Sequence, residues 1–423
     1  MKWHMPKKLL GLAAIGLAAG AGYFALPQKT EAQNAPIRIA YVDPLSGPMA
    51  AIGDTGLKNF QFILEEINAK GGANGRKLEI VAYDNKLNAQ ETIVQVQKAI
   101  DDGIRIITQG NGTSFAIAIS EFVTKYNERN PGKEVVYLNY AAVDPILTND
   151  KCSYWHFRWD ANTEMKMEAI TSFVRDRKDI KKVYLINQDY AFGHGVRDLA
   201  VKQLTAKRKD VEIVGNEVHP LAKVTDFSPY IAKIKASGAD TVITGNWGSD
   251  MALLVKAAAD AGLQVNFLTF YAGGSGGPTA IKQANLSNRV YAVGEGFANI
   301  PHKESVDFEK ALRAKYKISL FYPRGVNQMR MLAAAITQSK SDDPKKFAAV
   351  LDGMKFQVFN GGEGYMRADD HQFIQPLYMA VFGPIKADQP FDEEGTGWGW
   401  TIASKIEAKD TIVPTTCKMN KPS

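Results

Sequence analysis

The feature of this chain that most restricts its fold is a regular alternation of short β-branched segments with amphipathic helical segments. In the first part, helix-like segments run from 57, at 92–100 and at 116–126, between strand-like segments at 37–42, 78–83, 105–108 and 134–139. Leu57, Phe60, Leu64 and Ile67 fall on one face of the first helix. This alternation predicts a parallel sheet covered by helices on both faces.

The same alternation begins again after a junction at 155–163 and predicts a second α/β unit. We expect strands at 182–187, 211–214, 241–244 and 265–270, and helices at 195–205, 229–235 and 250–261. The stretch 290–383 holds helix-like 306–316 and 325–338 and then strand-like turns. It is too short for a third unit, so we expect it to complete both units. Beyond Phe391, three closely spaced glycines predict an irregular tail.

The first 32 residues have the pattern of a secretory signal peptide. A basic start precedes an apolar run at 9–26, and Thr30 and Ala32 supply the small residues of a cleavage site. We expect cleavage near Ala32 and a mature protein in the periplasm. The alternative is an uncleaved membrane anchor, because eighteen apolar residues approach the length that spans a bilayer.

Size and composition indicate a soluble globular protein of two domains. The 391 residues after the leader are too many for one ordinary core. The leader holds four lysines and one glutamate, so the net charge of +6 falls to about +3 in the mature chain. This mild charge, without a basic stripe, argues against a nucleic-acid partner.

Two cysteines, Cys152 and Cys417, remain in the mature chain. In an oxidising compartment an even pair predicts a disulfide, which would fix the C-terminal tail to the middle of the chain. Two buried free thiols are the alternative. Their wide spacing does not suit zinc, whose ligands are clustered in sequence.

Ligands of open α/β sheets bind beyond the carboxyl ends of the strands, so these positions are the candidate site. In the first unit the strand exits at 43–48, 109–114 and 140–143 offer small polar residues and backbone donors. In the second unit the exits at 188–193, 245–249 and 271–274 offer aromatic residues. Two such faces across a cleft predict a clamp for a small molecule.

Catalytic and metal chemistry have weaker support. The segment 273–277 matches the nucleophile-elbow pattern around Ser275, but its glycines make a chance match easy, and His302 and His371 have no distinctive setting. The glycines at 110–112 lack a phosphate-binding motif, and the six histidines show no metal spacing. We therefore expect a protein that is not an enzyme and carries no metal or cofactor.

Several segments together resemble the periplasmic branched-chain amino-acid-binding proteins of ABC transporters. They are Ile37–Pro48, Gly53-Asp54, Ile67–Asp84, Asp189–Gly195 and Arg367–Gln372, within a resemblance that covers 36–385. The family implies the type I periplasmic binding protein fold, with two doubly wound parallel-sheet lobes joined by a three-segment hinge. The implied division is a signal peptide at 1–32, lobe 1 at 36–160 plus 296–357, lobe 2 at 164–295 plus 358–395, and a tail at 396–423.

The resemblance also implies where the ligand binds. Thr113 and Ser114 match hydroxyls that hold the ligand carboxylate, Ala141 matches a backbone group beside them, and Phe192 and Trp247 match aromatic positions of lobe 2. With their neighbours at the strand exits, the predicted ligand-binding residues are Asn111, Thr113, Ser114, Tyr140, Ala141, Ala142, Phe192, Trp247 and Tyr271.

Two departures from the family pattern affect the expected ligand. Val143 stands where amino-acid binders of this type have Thr, and Tyr271 stands where they have an acidic partner for the α-ammonium group. Burial of an ammonium without a carboxylate costs several kcal/mol. A carboxylate or amide without an amino group, including an aromatic one, therefore fits as well as an amino acid, for which Tyr271 could still offer cation–π attraction.

The sequence thus predicts a monomeric solute-binding protein that closes on a small organic solute and delivers it to an ABC transporter permease. A sensor of the same fold, which presents its bound state to a receptor, is the alternative. A secreted hydrolase built on Ser275 is a third hypothesis.

Overall fold

Strands and the helices between them form two large, separate sheets in the computed structural model, which describes residues 35–422. The predicted leader and its cleavage site lie outside the described residues. The predicted fold class, two α/β units built on parallel strands, is confirmed.

The bounds of the strands follow most of the predicted ones within a few residues. They are β1 (Ile37–Asp43), β2 (Leu78–Asp84), β3 (Ile106–Gln109), β4 (Val136–Asn139), β5 (His156–Arg158), β6 (Lys182–Gln188), β7 (Glu212–His219), β8 (Thr241–Thr244), β9 (Asn266–Thr269), β10 (Val290–Gly294), β11 (Lys355–Gln357), β12 (Glu363–Met366), β13 (Phe373–Ile374), β14 (Leu377–Pro384) and β15 (Trp398–Ile406).

The α-helices of the described residues alternate with these strands. They are α1 (Ala50–Ala69), α2 (Ala89–Asp101), α3 (Thr113–Arg129), α4 (Thr163–Arg175), α5 (Ala191–Lys207), α6 (Ser228–Ser237), α7 (Gly248–Asp260), α8 (Gly277–Gln283), α9 (Lys303–Tyr316), α10 (Pro323–Ser339) and α11 (Pro344–Leu351). Some begin at clear sequence signals: the side chain of Asn162 accepts from the Met165 amide at the start of α4, and Pro323 and Pro344 each open a helix.

Strand order places the carboxyl ends of β1, β3 and β4 side by side. Within residues 35–422 the first sheet has the order β2-β1-β3-β4-β5, all parallel. The second has the order β15-β14-β10-β9-β8-β6-β7, in which β14 and β15 run antiparallel to their neighbours. A small antiparallel sheet joins β11, β12 and β13.

Each large sheet has its own core. The first core includes the first sheet and apolar residues of α9, α10 and α11, and we call this assembly the first half. The second sheet has a core on each face: Val183 and Leu185 point to one, and Tyr184 and Ile186 to the other. We call the second sheet with α4 to α8 the second half. The segment 290–383 therefore contributes to both halves, as expected.

The prediction of an irregular tail is wrong for Trp398–Ile406, which forms β15 along β14. Gly395 and Gly397 adopt positive φ in the connection before β15, so these glycines mark a turn and not the end of regular structure. After β15 the chain returns to the first half. There the hydroxyl of Thr415 donates to the Thr148 carbonyl at 2.5 Å, and Lys421 pairs with Asp352.

Candidate functional site

A cavity of about 390 Å³, part of it open to solvent, lies between the carboxyl ends of parallel strands in the two large sheets. The first half contributes Ile52, Gly110, Asn111, Gly112, Thr113, Ala141, Val143, Phe321 and Tyr322. The second half contributes Tyr190, Phe192, Trp247, Gly248 and Tyr271.

The loop between β3 and α3 forms one wall of the cavity. Gly112 precedes α3 with φ +106°, and a Cβ there would collide with the Phe115 ring, so only glycine fits. No side chain caps α3. Within residues 35–422 the backbone amides of Thr113 and Ser114 have no hydrogen-bond acceptor, so they are available to an anion.

Asp43, at the end of β1, holds this loop from behind. Its carboxylate accepts from the amides of Asn111 at 2.9 Å and Gly110 at 3.2 Å, and from the Tyr140 hydroxyl at 2.6 Å. Burial raises the pKa of Asp43 to about 7, although hydrogen bonds from Tyr140, Asn111 and Gly110 act in the opposite direction. The side-chain amide of Asn111 joins the same network: its nitrogen donates to the Tyr140 hydroxyl, and its oxygen accepts from the Tyr322 hydroxyl.

The predicted first-half residues therefore divide into two groups. Asn111, Thr113 and Ala141 line the cavity. Tyr140 is fully buried behind the wall, Ala142 uses its carbonyl to accept from the Asn139 side chain, and Ser114 is half-buried. These last three do not line the cavity.

Aromatic side chains from three strand exits form the opposite wall. The Trp247 indole donates to the Tyr190 hydroxyl at 2.8 Å, which fixes both rings. Phe192 packs edge-on against Phe270, with ring centroids 5.5 Å apart, and lies 5.8 Å from Tyr271. The predicted residues Phe192, Trp247 and Tyr271 all line the cavity. Helices α5 and α7 begin here without side-chain caps, so their positive ends also face this region.

Tyr271 connects the cavity to a buried charge cluster. Its hydroxyl donates to Asp160 at 2.8 Å. Asp160 pairs with Lys166 at 2.5 Å and with Arg324 at 3.3 Å, and Arg324 also pairs with Glu295. Burial raises the pKa of Tyr271 well above its usual value, so its hydroxyl stays protonated. The two acidic residues of this cluster, Asp160 and Glu295, balance the two basic ones, Lys166 and Arg324, in formal charge. The cluster therefore adds no net charge beside the cavity.

Some lining residues were absent from the predicted set. Phe321 and Tyr322 come from the loop before α10, and Ile52 comes from α1. None of them follows a strand, so the strand-exit rule could not find them. Tyr190 does lie at a predicted strand exit, and its position beside Phe192 was the available signal.

Ser275 lacks the surroundings of a nucleophile. Its neighbours Gly276 and Thr279 donate backbone amides to Glu394. His302 contacts the Ser305 hydroxyl, and His371 stacks on Phe157 with centroids 3.9 Å apart. Among the described residues Ser275 makes no hydrogen bond to histidine, so this geometry gives the hydrolase hypothesis no support.

The predicted disulfide between Cys152 and Cys417 is present and is thereby confirmed. It joins the tail after β15 to the first half. Between residues 35 and 422 no helix has both the length and the apolar character needed to cross a membrane.

Comparison with known proteins agrees with this architecture. Residues 36–387 match the family described as periplasmic binding protein. Leu/Ile/Val-binding protein homolog 4 of Brucella abortus is 33% identical over 424 residues, covering 97% of each chain.

Two solved structures share the fold. The closed leucine-, isoleucine-, valine-, threonine-, and alanine-binding protein of Brucella ovis has a TM-score of 0.80 and 31% identity, covering 92% of this chain and all of that one. A solute-binding protein of an R. palustris ABC transporter, in complex with benzoate, has a TM-score of 0.76 at 17% identity, with coverage of 91% and 100%. The present chain therefore belongs to the periplasmic binding protein family, a family of solute-binding proteins and not of enzymes.

Proposed function

We propose that this protein is the substrate-binding component of an ABC importer, which closes on a small organic carboxylate and delivers it to a membrane permease. The single observation that carries the proposal is the cavity between the two halves, where the uncapped N-terminus of α3 faces an aromatic wall in which α5 and α7 also begin without side-chain caps. The binding-protein names of its relatives, and the R. palustris structure described as the solute-binding protein of an ABC transporter, support the importer role.

The two halves would act as the lobes of the clamp. We propose the boundaries expected from the sequence with two changes: 358–373 joins lobe 1, because Val358, Phe359, Met366 and Phe373 pack in the first core, and β15 joins lobe 2. We propose that the chain acts in the periplasm after cleavage near Ala32. It would act as a monomer, because a free clamp needs no second subunit.

The lining favours a ligand with a carboxylate. The amides of Thr113 and Ser114 and the positive end of α3 suit an anionic oxygen. The buried hydroxyl of Thr113 is a further donor at the same place.

The same lining disfavours an α-ammonium group. Within the described part of the chain no Asp, Glu, Lys or Arg lines this cavity. Tyr271 occupies the place of the acidic partner, and its hydroxyl already donates to Asp160. An ammonium would have only uncharged acceptors and ring faces as partners, which leaves much of its desolvation cost uncompensated. We therefore propose a carboxylate without an amino group and with an apolar or aromatic body.

Matched ligands test this proposal by calorimetric titration of the purified protein after removal of any bound solute. Each set holds an acid, its α-amino acid and the amine without the carboxylate: 4-methylpentanoate, leucine and 3-methylbutylamine, and 3-phenylpropanoate, phenylalanine and 2-phenylethylamine. We expect an acid to bind, its amino acid to bind at least about tenfold more weakly, and the amine not to bind. Tighter binding of leucine or phenylalanine than of the matched acid would refute the ligand class.

A further inference from the structure

A second cavity, of about 530 Å³, adjoins the first on the side of the buried charge cluster. Tyr271 and Phe321 line both cavities, so these two rings form the boundary between them. The second cavity lies among the exits of β9 and β10, the loop before α10, and β15. We call it the hinge-side cavity.

Its chemistry differs from that of the first cavity, which has no charged side chain in its lining. Glu295 and Arg324 line the hinge-side cavity and are 3% and 4% exposed. Phe270, Phe297 and Trp400 give it apolar walls. It therefore combines polar side chains with flat apolar surfaces, as ligand sites commonly do.

The ion pair between Glu295 and Arg324 leaves one hydrogen-bonding atom of each side chain unused. Nη1 of Arg324 donates to Oε1 of Glu295, and Nε donates to the Tyr140 carbonyl. Nη2 of Arg324 and Oε2 of Glu295 have no partner among residues 35–422. Buried polar atoms are rarely left unpaired, since each costs about 1–3 kcal/mol.

We propose that the hinge-side cavity is a second subsite, which takes a neutral group that donates to Glu295 and accepts from Arg324, such as a carboxamide or a hydroxyl. The group would belong to the distal end of the carboxylate held in the first cavity, so this inference rests on the proposed function. A charged group fits poorly, because Asp160, Lys166, Glu295 and Arg324 already balance, and Glu393, which also lines this cavity, pairs with Arg313.

Derivatives of one parent acid test the subsite by titration calorimetry on the purified protein. The parent is 3-phenylpropanoate, and the para substituents are carboxamide, hydroxyl, carboxylate and aminomethyl. We expect the carboxamide or hydroxyl to tighten binding about tenfold over the parent, as two added hydrogen bonds would allow, and both charged groups to weaken it. Equal or weaker binding of both neutral derivatives would overturn the proposal.

Two variants assign the effect to this cavity. In Ala298→Leu, a larger side chain takes up space in the cavity while Glu295 and Arg324 are both retained, so the neutral derivatives should lose their advantage while the parent acid binds as before. Glu295→Gln presents an amide in place of the free acceptor and should also remove the advantage. If the neutral derivatives still bind Ala298→Leu more tightly than the parent acid does, their substituent binds outside this cavity, and the subsite is refuted.

A small amide separates this test from that of the proposed ligand class. Propanamide, measured by thermal shift at millimolar concentration, should stabilise the original protein and not Ala298→Leu, even if no acid binds. Binding of acids without any effect of propanamide or of the neutral substituents would leave the carboxylate site standing and reject the subsite. A propanamide shift without acid binding would reject the ligand class alone.

Discussion

Glu393 shows how one buried carboxyl group can make the stability of this protein depend on pH. It lies between the halves, where Arg313 of α9 and the Ser319 hydroxyl contact its carboxyl group. Burial raises its pKa from 4.5 to about 8; Arg313 opposes this change, while Glu309 and Glu394 add to it. The folded chain therefore holds a proton that an unfolded glutamate releases between these two pH values.

We predict that Glu393→Gln removes this dependence. Between about pH 4.5 and 8 the folded state binds more protons than the unfolded state, so the free energy of unfolding falls as pH rises through this window. The variant should gain in Tm over the original protein as pH rises from 5 to 8.5, by about 1 °C for each kcal/mol relieved in a chain of this length.

Differential scanning calorimetry at several pH values measures the effect. Glu363→Gln, at an exposed position of β12, is the matched control. A Glu393→Gln difference that does not grow with pH would mean that Glu393 is ionised in the fold.

At the scale of an element, the start of α3 depends on a glycine with two independent requirements. Gly112 has positive φ, and its missing side chain leaves room for the Phe115 ring. Gly132 also has positive φ, at +83°, but has open space around its Cβ position. A side chain added at Gly132 would cause backbone strain alone, whereas one added at Gly112 would cause the same strain and also collide with the Phe115 ring.

We predict that Gly112→Ala destabilises the protein by about 2–4 kcal/mol, and Gly132→Ala by about 1 kcal/mol, because only the first adds a steric collision to the strain. Gly112→Ala should also weaken carboxylate binding, since the amides of Thr113 and Ser114 follow it directly. Urea unfolding and calorimetric titration measure the two effects. Similar losses for both variants would show that the ring adapts and the wall is not rigid.

At the scale of the whole molecule, the disulfide closes a long connection between the halves. After β15 the tail returns to the first half, where Cys417 bonds to Cys152 across 265 residues of sequence. The Thr416 amide also donates to the Asn149 side chain at 2.8 Å. The tail therefore links the last strand of the second sheet to the first half, separately from the three chain segments expected at the hinge.

We predict that replacing both cysteines by serine lowers the free energy of unfolding by about 2–5 kcal/mol, as is typical for loss of a native disulfide. Neither cysteine lines the first cavity, so ligand affinity should change less than threefold, or about 0.6 kcal/mol. Urea unfolding and titration test both statements, and the original protein under reducing conditions should match the variant. A large loss of affinity would show that the tail helps to set closure of the halves.

The sequence predicted those features that arise from local pattern. Hydrophobic periodicity located most strands and helices within a few residues, because burial on one face repeats with the period of the element. The strand-exit rule placed Asn111, Thr113, Phe192 and Tyr271 at the cavity, because carboxyl ends of parallel strands meet at one edge. It also selected Tyr140, whose hydroxyl donates to Asp43 behind the wall.

Other features depend on contacts between distant segments. Phe321 reaches the cavity only because α10 packs in the first half, and the unused atoms of Glu295 and Arg324 meet only across the hinge. The glycines before β15 gave the tail an irregular pattern, whereas pairing with β14 made it a strand.

By itself, then, the sequence determined the α/β class and the repeat of two α/β units, because periodicity is carried by the chain alone, and it favoured the disulfide that the structure then confirmed. Tertiary structure decided which side chains face the cavity and which buried atoms stay free, because side-chain direction and burial depend on neighbours that are remote in sequence.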